Sequence, residues 1–351
     1  MDSTTFLGLE ESMSPTETKG QWSMVIRPGL VTGGNFLWGG AGLAASVRAM
    51  ELLSRRQCVW ATSQYLSYAR THETMTIDVT LAVVGHQITQ ARSVARVGDR
   101  EILTVNAALG DRPMEVAGQF ERMPSVIRPE ECPTRTHRYE VEGTITERLD
   151  QRLAKGRLWE DLDGTQSDGQ TIMWARIPGL EQGVDAAALA VLGDFVPMGV
   201  GQSLGVRGGG NSLDNTIRFA TLVPTDWVLL DIHVESVQRG FGHGTIQMFG
   251  NTGLTFNGEP SGVDRVTNTA YYFDAATGTV MNYRNAAISR KADATSRVPL
   301  WSASAPNGTS FVRGTNNGGN GPAGTSVGFG TANRSWFNLA GLPLEDRKSV
   351  V

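Results

Sequence analysis

The sequence predicts an α+β chain in which one unit, a helix wrapped by a curved antiparallel sheet, is built twice. Three observations carry this reading. A helix-like pattern follows Trp38-Gly39-Gly40. Four strand-like runs come after it. The order of helix and long strands then recurs in the second half.

In the first copy the helix runs from Trp38-Gly39-Gly40 to about Arg56. Leu43, Ala44, Val47, Met50 and Leu53 recur at three- and four-residue spacing and line one face. Strands are expected at residues 58–66, 75–84, 87–97 and 101–109, with Gly85-His86 and Gly98-Asp99 as hairpin turns. In the second copy a strand at 171–177 precedes a helix at 184–192. Strands follow at 213–222, 227–236 and 241–249. A Pro-containing segment separates the copies, and residues 201–210 read as a flexible Gly-rich connection.

The 351 residues can bury two sizeable cores, and an apolar fraction of 40% is ordinary for a soluble chain. No unbroken apolar run reaches spanning length, so no membrane association is expected. The first residues are polar and acidic, unlike a secretory signal, and a cytoplasmic location is the default. A net charge of −4 gives no bulk attraction for nucleic acid. Cys58 and Cys132 are the two cysteines, too few for a disulfide framework or a zinc site. Cys58 reads as a small buried residue and Cys132 as part of the linker.

The chemistry-bearing block lies in the second copy. Its apolar helix ends in Gly193-Asp194-Phe195-Val196-Pro197, and Asn211-Ser212-Leu213-Asp214 opens the next strand. A carboxylate at Asp194 can orient and deprotonate a water that the Ser212 hydroxyl holds. A helix C-terminus followed by a strand cap explains the same residues without catalysis.

Taken in order, these residues resemble the acyl-CoA thioesterase II family over residues 22–249. The resemblance rests on Leu37-Trp38-Gly39-Gly40, the Gly193-Asp194-Phe195 turn, Ser212-Leu213-Asp214 leading to Phe219, Trp227-Val228-Leu229-Leu230 and Arg239-Gly240-Phe241-Gly242-His243-Gly244. It implies a double hotdog fold. An N-terminal hotdog would take residues 22–112, a linker 113–140 and a C-terminal hotdog 141–257, with 258–351 as an irregular or disordered extension. It further implies hydrolysis of fatty acyl-CoA, with Asp194 and Ser212 catalytic and Gly39, Gly40 and Asp214 at the substrate. No cofactor or metal is implied. Hotdog sheets commonly associate, so a homo-oligomer is an open expectation. Backbone N–H groups near Gly39-Gly40-Ala41 are candidate oxyanion donors.

Two departures from the family pattern stand out. Ala41 occupies a position where the family often has Gln. The family also carries a catalytic Gln on a last strand, whereas the chain after Phe249 runs into a turn cluster and has no Gln. That strand is therefore expected to be missing or replaced, with impaired catalysis as the consequence. Residues 307–333 are Gly/Asn/Thr/Ser-rich, and the last six residues resemble translated sequencing-adaptor DNA. A frameshift or chimeric join and a genuine low-complexity extension are the two readings of this tail.

Other candidates have simpler explanations. His72 and His86 lie in a loop and a turn. The Arg135-Thr136-His137-Arg138 stretch is either a solvated linker face or a contact for CoA phosphates, and Arg207 is a further candidate for steering a phosphate. His233 shares a strand face with Asp231 and Glu235; a polar outward face opposite Leu230, Ile232 and Val234 accounts for it. The leading reading is a water-using thioesterase. The alternatives are an acyl-CoA-binding hotdog protein without turnover and, ranked below it, a hotdog hydratase, which would need a His near Asp194.

Overall fold

The fold was obtained as a computed structural model, which describes residues 1–12, 19–112, 120–137, 141–180, 183–250, 263–274 and 279–280. The chain opens with a short helix α1 (Ser3–Leu7), whose N-cap Asp2 accepts the Thr5 N–H at 2.8 Å. Strands β1 (Leu9–Ser12) and β2 (Lys19–Val25) pair antiparallel. Helix α2 (Gly39–Ser54) follows, then β3 (Cys58–Tyr65), β4 (Thr74–Val84), β5 (Ile88–Val97) and β6 (Arg100–Gly110). The strands alternate buried and exposed residues, because α2 covers one face of this half of the sheet.

The second half contains β7 (Asp150–Lys155) and β8 (Gln170–Arg176). Next come helices α3 (Ala186–Leu192) and α4 (Val196–Leu204). Strands β9 (Gly208–Arg218), β10 (Val228–Gln238) and β11 (Phe241–Gly250) complete the expected set. One difference concerns residues 201–210. Residues 201–204 end α4 and 208–210 open β9, which leaves 205–207 as the connection from helix to strand. The Gln202 side chain ties α4 to Arg157, accepting its N–H and donating to its carbonyl, both at 2.8 Å. A Cβ on Gly199 would lie 2.7 Å from Ile232 Cγ2, so this glycine allows close packing of α4 on β10.

A larger difference lies beyond residue 257. Strand β12 (Val263–Asp274) runs through the stretch expected to be an extension, and it includes residues 270–273, whose strand character is visible in sequence. β12 inserts between β9 and β11, with Thr267 opposite Thr216 on one side and Thr245 on the other. Its β-branched and aromatic residues suit a strand. Its ladder pairs backbone groups of β9 and β11 that would otherwise form two open edges. The C-terminal hotdog therefore extends past the expected bound, and the fourth strand is supplied after a gap in the pattern.

The sheet order is β1-β2-β4-β5-β6-β3-β9-β12-β11-β10-β8-β7. Outward from the β3–β9 seam the two halves repeat: β3-β6-β5-β4-β2 mirrors β9-β12-β11-β10-β8. This is the double hotdog, two helix-wrapped antiparallel sheets joined edge to edge. The chain divides into two units, residues 1–278 and 279–351; the second has Thr279–Val280 as its described residues, in an extended strand. The remainder of the expected extension lies outside the described residues.

One core runs through both halves, with Leu43, Val47 and Met50 of α2 fully buried alongside Ala186–Leu192. Small residues let α2 and α3 approach closely. A Cβ on Gly40 would meet Ala190 O at 2.6 Å and Val191 O at 2.8 Å. A second cluster lies on the outer face of the sheet, where the linker packs Cys132 over Ile172, Trp174, Leu229 and Phe249. Trp174 Nε1 donates to Ile127 O at 3.0 Å and pins the linker there. Among the described residues, Ala186–Leu204 is long and apolar enough by composition to cross a membrane; 78% of that window is buried in the protein.

We expect Gly40→Ala to lower unfolding stability by about 1–3 kcal/mol, because the new methyl meets rigid backbone. Urea denaturation would read this. An unchanged midpoint would rule out the close-approach account of the α2–α3 contact.

Candidate active site

Helix α2 begins without a side-chain cap of its own, since its N-cap residue is Trp38. The cap comes from the other half of the chain. Asp194 sits in the break between α3 and α4, and its Oδ2 accepts the Gly40 N–H at 2.9 Å. Two features create the break. Gly193 ends α3, and Pro197 in the first turn of α4 fits a new helix start, where its missing N–H costs nothing. Trp38 fixes the approach: its Nε1 donates to Val191 O at 2.9 Å and its ring packs against Phe195 at 5.3 Å between centroids. Asp194 is only 3% exposed. A carboxylate so deeply buried requires donors, and the helix N-terminus supplies one together with a favourable dipole.

Ser212 supplies another, donating from Oγ to Asp194 Oδ1 at 2.7 Å. It reaches Asp194 because β9 is bulged. The register against β12 shifts between Asp214 and Ser212, leaving Leu213 as an extra residue. Asn215 and Ile217 face the core. Unbroken alternation would put Ser212 on the opposite face, with Asp214 and Thr216. The bulge turns it back toward the helices. Asp214 keeps its place opposite Gln64 across the seam and lines neither cavity at the site.

Asp194 stands where two cavities meet. The narrower, about 90 Å³, runs under α2 and is lined by Leu37, Gly39, Tyr65, Ile102, Leu103 and Ser212 among others. The wider, about 340 Å³, carries Arg135, His137, Ile145, Leu149, Trp159 and Met198 on its walls. Trp38, Asp194, Pro197 and Asn211 belong to both. Gly39 is needed for the junction to exist. A Cβ there would lie 2.7 Å from Asp194 Oδ2 and 3.1 Å from Tyr65 Cζ. The Gly40 N–H is taken by Asp194, and the Ala41 and Gly42 N–H groups close on Trp38 O. Of the expected oxyanion donors, the Gly40 and Ala41 groups are thus committed within the protein.

Other sequence candidates find simpler places. Arg207 donates to the carbonyls of Trp159 and Glu160 at 3.2 and 2.7 Å, which ties a loop rather than steering a phosphate. Arg138 lies outside the described residues. Asp231 lies on the outward face as expected but is buried there, and accepts from Gln170 at 2.9 Å with His233 at 3.0 Å. The covering linker and β8 explain that burial. Among the described residues no cluster of His, Cys, Asp and Glu could hold a metal. Two residues escaped the sequence reading. Tyr65 and Asn211 both face the cavities with a buried oxygen that has no partner among the described residues. Their signal in sequence is nil, because each sits in an ordinary strand and acquires its surroundings from the opposite half.

The fold is that of the double hotdog proteins. Residues 129–256 match the family of the acyl-CoA thioesterase C-terminal domain, in agreement with the resemblance seen in the sequence. A candidate thioesterase from Novosphingobium aromaticivorans DSM 12444 is 23% identical, over 74% of this chain and 97% of its own, with a TM-score of 0.62. A protein of unknown function with a hot dog fold from Alicyclobacillus acidocaldarius is 16% identical, over 75% and 95%, with a TM-score of 0.62. An acyl-CoA thioesterase II, TesB2, from Mycobacterium marinum is 17% identical, over 78% and 99%, with a TM-score of 0.57. No curated protein matches the chain.

Burial, with a smaller contribution from the Arg135 charge, pushes His137 down to about 3. The folded chain thus holds this imidazole neutral, while an unfolded chain protonates it near its ordinary value of 6.5. Its contribution to stability is complete above that value and is lost as pH falls toward 3. We expect His137→Gln to flatten part of the stability loss across this window, read as unfolding midpoints at a series of pH values. Parallel curves for the two proteins would remove His137 from the account.

Proposed function

We propose that this chain hydrolyses acyl-CoA thioesters to free fatty acid and CoA by direct attack of water. The observation that carries the reading is the Asp194 carboxylate, clamped by Gly40 N–H and Ser212 Oγ at the meeting of two cavities. A carboxylate has about four lone-pair sites, so it can accept a water proton while keeping both donors. The narrow apolar cavity suits the acyl chain. The wider one suits the pantetheine arm, and Arg135 in its wall offers charge for the CoA phosphates.

In this mechanism the water oxygen bonds to the thioester carbon as its proton passes to Asp194. Ser212 orients the carboxylate and the water. Collapse of the tetrahedral intermediate breaks the C–S bond, and the departing thiolate takes the proton from Asp194. A thioester carbonyl is weakly resonance-stabilised, so a positioned water and a base serve without a covalent nucleophile. The match of residues 129–256 to the thioesterase C-terminal domain supports the same reaction class.

A second reading is favoured by one observation. The sequence has no Gln from Gly250 onward, so β12 lacks the Gln that the resemblance assigns to the last strand. On this reading the chain binds acyl-CoA without turning it over.

A panel of acyl-CoA esters, assayed by release of free thiol, separates the two. Asp194→Asn keeps an oxygen to cap α2 but removes the base, and we expect kcat to fall by about 100-fold or more. Ser212→Ala should cost about 10- to 100-fold. Thiol release that Asp194→Asn leaves intact would reject the mechanism, and tight binding by a wild-type protein without any release would favour the second reading.

A further inference from the structure

The Tyr65 hydroxyl is a buried donor that the mechanism above leaves unused. It closes β3 at the seam; the Ser63 and Asn215 side chains are its polar neighbours, and its oxygen makes no well-formed hydrogen bond among the described residues. Buried polar groups are almost always paired, so an orphaned hydroxyl in a cavity wall calls for a ligand. Its position is specific. The phenol carbon Cζ and Asp194 Oδ2 lie 3.1 and 2.7 Å from one point, the position a Gly39 side chain would fill. Ring and carboxylate thus flank the same gap, in the cavity that Ser212 also lines.

Electrostatics keep the proton on this oxygen. Burial first, and the Asp194 carboxylate next, hold the phenol well above its ordinary range, against smaller opposing contributions from Ser63 and Asn215. It is therefore a donor throughout the working pH range and not a base. The backbone alternatives are partly spent, since the Gly40 and Ala41 N–H groups already have acceptors.

We propose that Tyr65 is a catalytic residue whose hydroxyl donates a hydrogen bond to the thioester carbonyl oxygen and to the oxyanion formed from it. This rests on the thioesterase reading of the same site. As water adds to the carbonyl carbon, the C=O π pair moves to the oxygen facing Tyr65. When that pair returns, the C–S bond breaks. Tyr65 keeps its proton throughout, and the transferred proton travels from water through Asp194 to sulfur.

The test uses the full-length chain and Tyr65→Phe, which removes one unpartnered atom and keeps the ring. Hydrolysis is measured alongside binding of two stable probes. One is a 2-oxoalkyl-CoA, which has a carbonyl but no thioester; the other is an S-alkyl-CoA thioether without a carbonyl. We expect Tyr65→Phe to lower kcat by about 100-fold with KM changed little, the loss typical of one oxyanion donor. Ketone binding should weaken by about 10-fold and thioether binding should not change. The thermal unfolding midpoint should change little, because the hydroxyl makes no well-formed bond to its neighbours Ser63 and Asn215.

Wild-type kcat in the variant, or equal weakening for both probes, would overturn the proposal; the latter would assign the hydroxyl to a bridging water or to packing. A wild type that hydrolyses nothing, yet prefers the ketone through Tyr65, would retain the donor and reject the thioesterase. A wild type that neither cleaves the esters nor binds either probe would reject both.

Discussion

The rest of the site depends on one contact, the Asp194 carboxylate at the N-terminus of α2. The helix and the carboxylate lie in different copies of the repeat, 154 residues apart in sequence. Each answers a physical need of the other. The helix start has N–H groups that its own N-cap residue leaves unbonded. The carboxylate is almost wholly removed from water and requires donors. Their pairing draws the first turn of α2 onto the α3–α4 break, and the Trp38 indole bond to Val191 O holds it there. Glycine at positions 39 and 40 is a consequence of this closeness, since any Cβ would meet the carboxylate, the phenol or the α3 carbonyls.

The sheet imposes the second constraint. Two edge strands, β3 and β9, must pair for the halves to become one body, and the seam brings Tyr65 and the start of β9 under the helix termini. β9 needs a partner on its other side as well, which β12 supplies. The register shift on that side sets the direction of Ser212. The geometry of the site and strand pairing are therefore not separable here. The bulge that accommodates β12 is the same irregularity that delivers the hydroxyl to Asp194.

Polarity is graded along the cavities. The narrow end is walled by Leu37, Ile102 and Leu103, the junction by a carboxylate with two donors, and the wide end by Arg135 beside a neutral His137. On the proposed reading, the apolar tail, reactive carbonyl and charged head of an acyl-CoA follow the same sequence. Keeping His137 uncharged leaves Arg135 as the described cation of that wall, and the fold avoids setting a second positive charge near it.

Much of this was determined by the sequence alone. The 3.6-residue spacing of Leu43, Val47 and Met50 and the alternation in β4 and β5 are local signals, set by how a helix or strand presents its side chains, so elements and class were legible. Asp194 and Ser212 were legible too, as a polar pair punctuating apolar runs. Tertiary structure alone decided the rest. Gly40 became a packing contact and a donor to Asp194 because the α3 backbone lies against it. Ser212 came to face Asp194 because a one-residue bulge reverses which face a strand residue occupies, and no local pattern announces it. Strand β12 was unreadable after a turn-rich gap, because its place is set by the two strands that flank it. Tyr65 is an ordinary strand residue until the other half of the chain sets a carboxylate beside it. Periodicity encodes what a residue does within its own element, whereas a site built across a seam is encoded only in what meets there.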